Sequence, residues 1–507
     1  MSDVPANKTA HPPARDMGMT RGTLLVFGAE ALALPAALFL TALLTRHFGV
    51  DDYGRFTLLA TLIAWVEWSL SSVWSRATIK LVSEADDWRP IGRAVARLSL
   101  GCGLAAAGVL ALLAFPLSHM FSEPTIALPL LLFSLDIPLF CLAQAHRSLL
   151  VGTGRFSGRA ATTAARALFR SALIAVLVSQ GAGIMGAILG SIGASVAELA
   201  VARLFIRPDF RGTREESNVA AVPPRLLWEA AGPLLVYAIS LRLFDKLDLF
   251  LLKSLGGTAR EAGLYGAAQN LAILPGIFAM AFVPALLATV GNARRQERDS
   301  GEEHGARKIG RGALRVIVRL LPFGALVAGC ASGIVSLFFG PAFAGTAPLI
   351  GPLFFAALAQ CIFAVATVLL TAGDRIWWTA VLASALLAVA FGAHFLIIPR
   401  YGSLGAASVT LVVSVVGAIA ALTAVYDRWK ITPPVGTVVR TLLVTAGVYA
   451  LATRLPQSDV SGPLAVAGRA FILMLAIVLG YTLLGEWDVD DTARAKSFLQ
   501  RFRKSTR

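Results

Sequence analysis

Charge is scarce in this sequence: only 15% of its 507 residues are Asp, Glu, Lys or Arg, against roughly a quarter in soluble domains. Cysteine is scarce too. The four, Cys102, Cys141, Cys330 and Cys361, fall inside apolar runs without metal-ligand spacing. That argues against a disulfide scaffold or a zinc site and leaves them as small core residues. No P-loop, HExxH zinc motif or Rossmann glycine fingerprint occurs, and no connector is long enough for a nucleotide-binding domain. Neither a cofactor nor a metal is expected, and energy for any work must come from a gradient, a partner or substrate flow.

What is present in excess is apolar. Hydrophobic residues make up 56% of the chain, in blocks long enough to cross ~30 Å of hydrocarbon. The net charge of +15 lies in the short connectors between these blocks, not in a stripe on a folded surface, so a nucleic-acid partner is not expected. The run from Thr23 to Thr45 exceeds a signal-peptide core of roughly 7 to 15 residues and reads as a retained first helix. The pattern predicts an all-α polytopic membrane protein of about 14 transmembrane helices. Its expected parts are a cytoplasmic tail (1–22), a six-helix bundle (23–205), a cytoplasmic linker (206–226), a second six-helix bundle (227–426), two additional helices (427–485) and a basic cytoplasmic tail (486–507).

Orientation follows from the basic residues. With the N-terminus in the cytoplasm, alternate connectors carry Arg76, Lys80, Arg89 and Arg93, then Arg155 and Arg159, then Arg294, Arg295 and Arg298, while the opposite connectors 118–124 and 340–346 contain no Lys or Arg. This asymmetry predicts a bacterial inner-membrane protein with both termini cytoplasmic. An internal repeat supports the two bundles: Gly154 and Gly373, Gly183 and Gly402, and Gly186 and Gly405 are separated by one identical offset. Six helices per half give both halves the same orientation, related by a pseudo-two-fold axis along the membrane normal, which suits alternating access.

Three stretches are specific enough to resemble a family. Leu44-Thr45-Arg46-His47-Phe48-Gly49-Val50-Asp51-Asp52-Tyr53-Gly54 looks like the first periplasmic turn of Wzx-type polysaccharide flippases. Asp248 followed by Gly263-Leu264-Tyr265-Gly266-Ala267-Ala268 resembles their seventh and eighth helices. Phe339-Gly340-Pro341-Ala342-Phe343, Leu370-Thr371-Ala372-Gly373-Asp374 and Ile398-Pro399-Arg400-Tyr401-Gly402-Ser403-Leu404-Gly405 are similar to their C-terminal pattern. The resemblance runs from the first helix through the twelfth and weakens over the last two. It implies the fold of the multidrug/oligosaccharidyl-lipid/polysaccharide (MOP) exporters. It also implies translocation of undecaprenyl-diphosphate-linked oligosaccharide for O-antigen, capsule or exopolysaccharide, in contact with membrane lipids and other polysaccharide assembly proteins. These motifs are structural turns, so no enzymatic activity is implied.

Ionisable side chains inside the spans are the candidate functional residues, because each costs at least ~2.5 kcal/mol to insert and needs a partner or a wet cavity. In the seventh helix Arg242 and Lys246 share a face with Asp245 beside them and Asp248 further round. They either attract a diphosphate headgroup or form an internally neutralised patch. In the fifth helix Arg166 and Arg170 lie one turn apart and need either an anionic substrate or the acids Glu67 and Asp136. The acids Glu30, Glu67, Asp136, Asp245 and Asp248 are candidate H⁺ or Na⁺ coupling groups, with the buried arginines as their alternative partners. Pro35 and Pro233 interrupt the first and seventh helices at equivalent positions of the two halves, as hinges or as static kinks. The competing functions are a cation-coupled multidrug exporter, a peptidoglycan lipid-precursor flippase and a membrane polysaccharide polymerase or ligase. The last would be expected to present a large periplasmic loop, and the connectors here are short.

Overall fold

A backbone that enters hydrocarbon must satisfy its own N–H and C=O groups, and in this sequence it does so as helices. The computed structural model describes residues 16–84, 87–206, 224–300, 305–372, 375–455 and 462–486. The first of two compact units consists of residues 1–40, 66–114 and 128–219. Its helices are the outer part of α1 (Asp16–Glu84), most of α2 (Arg89–Met120), α3 (Ala127–Phe133), α4 (Asp136–Gly152), α5 (Phe156–Ser179) and α6 (Gly183–Ile206). The second unit consists of residues 41–65, 115–127 and 220–507. It contains the middle of α1, then α7 (Pro224–Ser254), α8 (Ala259–Ala272), α9 (Leu274–Ser300), α10 (Gly305–Val318), α11 (Leu321–Phe338), α12 (Ala347–Ala372), α13 (Ile376–Trp429), α14 (Val435–Arg454) and α15 (Pro463–Leu483).

Nine helical stretches among the described residues are long and apolar enough to cross a membrane. Pro124–Gly152 and Pro341–Ala372 are each 72% buried, whereas Phe156–Ser179 and Pro463–Leu483 are only 17% buried. The first two are therefore the central helices of their units, and the last two present their leucines and valines outward. The cysteines are free thiols, with Cys141, Cys330 and Cys361 buried and Cys102 half-buried.

The interruptions have local causes. α1 breaks at Gly49 (φ 70°) and α13 at Gly402 (φ 53°), both in the left-handed region that a side chain disfavours. Gly183, the repeat partner of Gly402, has the same φ of 53° at the start of α6. Other apolar runs that read as continuous are divided shortly before a proline: α3 from α4 before Pro138, α8 from α9 before Pro275, and α10 from α11 before Pro322. A proline lacks the N–H that would close the preceding turn, so the helix restarts around it.

Within the second unit the middle of α1 crosses α8 at van der Waals contact of the backbones. A Cβ on Gly54 would lie 1.9 Å from the Ala259 carbonyl oxygen, and one on Gly263 would lie 2.2 Å from that of Val50. Only glycine fits at either place, and a Cβ on Gly266 would lie 2.4 Å from the Thr57 methyl, which gives the Tyr-Gly motifs at 53–54 and 265–266 their physical reason. Tyr53 is 2% exposed, and its ring meets Phe343 edge-on at 5.5 Å.

Candidate functional site

Two buried polar clusters stand out, one in each unit. In the first, the break before α4 puts Asp136 in the first turn of that helix, where the partial positive charge of the N-terminus suits a carboxylate. Asp136 is 2% exposed and Glu67, on α1, 4% exposed. The two carboxyl groups are neighbours in this cluster. The Ser195 hydroxyl of α6 accepts from Arg166 Nη1 at 3.0 Å.

Arg166 is the hub of this cluster. Its Nη1 also donates to Glu198 Oε2 at 3.0 Å, its Nη2 lies 3.9 Å from Glu67 Oε2, and its guanidinium sits 4.5 Å over the Phe140 ring. Glu198, wholly buried, forms a second ion pair with Arg147 at 3.1 Å. One turn along α5, Arg170 comes within ion-pair distance of no carboxylate among the described residues, and its buried Nε has no hydrogen-bond partner there. Beneath Glu67 a narrow crevice of about 10 Å³ runs between hydroxyl and amide groups of Ser71, Ser75, Thr78, Ser99, Gln144 and Ser148. That is room for about one water.

In the second unit Asp248 of α7 is 3% exposed and accepts four hydrogen bonds. They come from the Tyr265 hydroxyl at 2.6 Å, Gln269 Nε2 at 2.8 Å, the Thr410 hydroxyl at 3.1 Å and its own following amide at 2.8 Å. Gln269 turns its oxygen the other way and accepts from Lys246 Nζ at 3.2 Å. Arg242 and Asp245 form a loose ion pair at 4.0 Å with their side chains 51% and 37% exposed. The seventh-helix charges thus divide: Asp248 is hydrogen-bonded to α8 and α13, while Arg242 and Asp245 are exposed. His394, 1% exposed, is packed with its Nδ1 unpartnered among the described residues.

The structure brings together Glu67, Asp136, Arg166 and Arg170 in one unit and Lys246 and Asp248 in the other. Pro35 lies inside α1 with an exposed side chain. The side chains of Glu30 and Pro233 lie outside the described residues. Trp68 is 43% exposed and meets Phe140 edge-on at 5.8 Å. Sequence reasoning missed Arg147, Ser195, Tyr265, Gln269 and Thr410. Only the arginine carried a signal, an ionisable residue three positions inside the end of an apolar run. The uncharged partners are invisible until the helices meet.

Two carboxylates mark the ends of the spans. In the connector after α2, Glu123 accepts from Lys253 at 3.0 Å and from Arg55 at 3.1 Å, and Arg55 also pairs with Asp52 at 2.9 Å. Burial alone would raise the Glu123 carboxyl, but Lys253 and Arg55 outweigh it and hold it below the usual range. After α15, Glu486 is 1% exposed and takes hydrogen bonds from Arg315, Arg319, Thr437 and Arg440. Against the opposing effect of burial, these bring its pKa from 4.5 down to about 2. A carboxyl depressed on folding contributes stability above its unfolded pKa and loses it as pH falls through the folded one. Thermal unfolding in detergent is therefore expected to show stability falling between about pH 4.5 and about pH 2. Glu486→Gln should be less stable at neutral pH and flatter across that window; an equally steep fall in the variant would show that other groups cause it.

Bundled apolar helices with glycine breaks, and two buried clusters of charged and polar side chains within the spans, define a multi-pass membrane protein. Its fold is that of the MOP superfamily, shared with solved structures at low identity. The lipid II flippase MurJ in an inward closed conformation matches with a TM-score of 0.70 at 15% identity, covering 92% of this chain and 98% of that one. An inward-facing multidrug resistance MATE family transporter matches with a TM-score of 0.57 at 14% identity, covering 79% and 96%. A MOP superfamily transporter from Pyrococcus furiosus matches with a TM-score of 0.56 at 14% identity, covering 81% and 94%. No curated protein matches the sequence. The sequence pattern of the polysaccharide biosynthesis proteins matches residues 19–287, more than half of the chain. The chain belongs to that family.

Proposed function

We propose that this protein is a flippase that moves undecaprenyl-diphosphate-linked oligosaccharide across the bacterial inner membrane for surface polysaccharide biosynthesis. Fourteen spans, both termini in the cytoplasm and alternating access by two six-helix bundles complete the proposal, with Pro35 and Pro233 as bends used in switching. The observation that carries the substrate class is Arg170, half-buried, with a buried Nε that lacks a hydrogen-bond partner and with no carboxylate in ion-pair distance among the described residues, on a chain of the polysaccharide biosynthesis family. A diphosphate supplies the missing negative charge, and guanidinium groups bind phosphate through paired, charge-assisted hydrogen bonds. Arg166, Arg242 and Lys246 are the further proposed substrate-binding residues.

Glu67 and Asp136 are the proposed coupling pair. While one proton is held between them, the arginines around them outnumber the ionised acids, and phosphate is attracted. Loss of that proton toward the crevice of Ser71 and Ser75 adds a carboxylate beside Arg170, which competes with the substrate for the same guanidinium. Glu30, Asp245 and Asp248 are the further proposed coupling carboxylates.

Deletion of the gene followed by chemical analysis of accumulated lipids tests the reading. The expected result is an undecaprenyl-diphosphate oligosaccharide retained on the cytoplasmic side, with surface polysaccharide lost. A cation-coupled multidrug exporter is the second reading, favoured by the same carboxyl pair. Drug resistance on expression, with no change in surface glycan, would establish it instead.

A further inference from the structure

From Glu67 toward the C-terminal end of α1, one face of the helix carries Ser71, Ser75 and Thr78, each about a turn beyond the last. The helices packed on that face are polar there too: α4 brings Gln144 and Ser148, and α2 brings Ser99, to the crevice beneath Glu67. Ser71, Thr78, Ser99 and Ser148 are buried. In the other direction from Glu67 the same face of α1 carries Ile63, Ala60 and Phe56, with Ile63 and Phe56 buried. The polar seam is therefore one-sided. At 1.5 Å per residue, the stretch from Glu67 to Thr78 covers roughly 16 Å, about half of a ~30 Å hydrocarbon layer.

The hydroxyl groups are connected as well as adjacent. Ser148 donates to the Gln144 carbonyl at 3.0 Å, which leaves Ser75 as the donor in the 3.0 Å contact between the two serine hydroxyls. Ser71 donates to the Glu67 carbonyl at 2.7 Å. A hydroxyl oxygen has two lone pairs, so each still offers one to a water in the crevice. Because water and hydroxyl both accept and donate, such a row passes a proton where the methyl groups on the other side of Glu67 stop it. The titratable groups facing Glu67 are Asp136 of α4 and Arg166 and Arg170 of α5, with the thiols of Cys141 and Cys102 on the crevice wall. The guanidinium groups stay protonated, so the carboxyl pair is what takes up or gives out the proton.

We infer that this seam is a one-sided proton route, joining the Glu67 carboxyl to the compartment that the α1–α2 connector faces and closed toward the opposite one. A proton leaves the carboxyl for the crevice water, which hands one of its own on along Ser75 and Ser148, and the carboxylate left behind stays beside Arg166. The inference rests on the reading of Glu67 as a coupling carboxyl, and fixes the side on which that coupling proton is exchanged.

The test labels Glu67 with dicyclohexylcarbodiimide, which enters from the lipid and reacts with a protonated carboxyl, in sealed vesicles carrying the full-length protein and buffered to different pH inside and out. An impermeant maleimide on Asp87→Cys, an exposed position of the connector, reports which compartment the connector faces. Labelling of Glu67, read by mass spectrometry, is expected to follow the pH of that compartment and to ignore the other. Hydroxyl radicals generated by X-rays, which oxidise side chains next to bound water, read the crevice itself: Cys141 should be oxidised while the equally buried Cys330 and Cys361 are spared. Ser75→Val and Ser148→Val should each lower Cys141 oxidation about tenfold, the loss of one ordinary hydrogen bond to the water, and exposed Ser179→Ala should leave it unaltered. Labelling that follows the opposite compartment, or Cys141 oxidised no more than Cys330 and Cys361, would overturn the route and leave the coupling reading standing; so would undiminished oxidation in both valine variants. Absence of Glu67 labelling at every pH would overturn the coupling reading, and the route with it.

Discussion

Arg170→Ala is expected to abolish surface polysaccharide while the protein accumulates in the membrane at its normal level. The argument rests on the contrast with Arg166, one turn away. Arg166 is occupied by Glu198 at 3.0 Å, Ser195 at 3.0 Å and the face of Phe140, so its removal leaves Glu198 buried with only Arg147 to balance it. Breaking such a buried pair costs about 3–5 kcal/mol, and Arg166→Ala should lower the amount of folded protein. Arg170 forms no such pair among the described residues, and its loss relieves a desolvated charge. The effect should fall on transport, by about 10–10²-fold in rate, the worth of hydrogen bonds to a charged group at about 1.5–3 kcal/mol. Arg170→Lys keeps the charge but loses the planar pair of donors, and should retain partial export. Immunoblots of membranes alongside surface-polysaccharide gels separate the two variants. Wild-type glycan in an Arg170→Ala strain would remove this residue from the translocation path.

The contrast was only half legible in the sequence. Spacing put Arg166 and Arg170 on one face and identified Glu67 and Asp136 as the acids within reach, because a charge in an apolar run is conspicuous in any single sequence. Which arginine is occupied was not legible. That depends on Glu198, which reaches Arg166 and Arg147 from α6 only once α4, α5 and α6 are packed together. The apolar spans were readable from hydropathy because hydrocarbon enforces helix. Their interruptions before Pro138, Pro275 and Pro322 were not, since a proline in an apolar run can be absorbed by tilting or by restarting the helix, and the neighbours decide. The matched glycines succeeded for the opposite reason. A φ of 53° at Gly183 and at Gly402 is a backbone requirement that shows in residue identity.

Asp248 offers the other large effect. Substitution by alanine removes the acceptor for Tyr265, Gln269 and Thr410 at once. Thr410 keeps a second bond to the Ala406 carbonyl at 3.0 Å, but the Tyr265 hydroxyl, 0% exposed, loses its charged acceptor. Stranded buried donors cost about 1–3 kcal/mol each, so Asp248→Ala is expected to destabilise the protein by about 3–5 kcal/mol, read as a lowered unfolding temperature in detergent. Asp248→Asn separates architecture from coupling. The amide keeps the shape, and Gln269 can turn to offer its oxygen, at the expense of the bond from Lys246 at 3.2 Å. A carboxylate has about four lone-pair positions, and the four donors on Asp248 fill them, so a coupling cation must displace one. If it does, Asp248→Asn folds normally and loses export, because a neutral amide neither holds H⁺ nor attracts Na⁺. Export at the wild-type rate in a folded Asp248→Asn variant would confine this carboxylate to positioning Gln269 and Lys246. An Asp248→Ala protein that unfolds at the wild-type temperature would sink the architectural role as well.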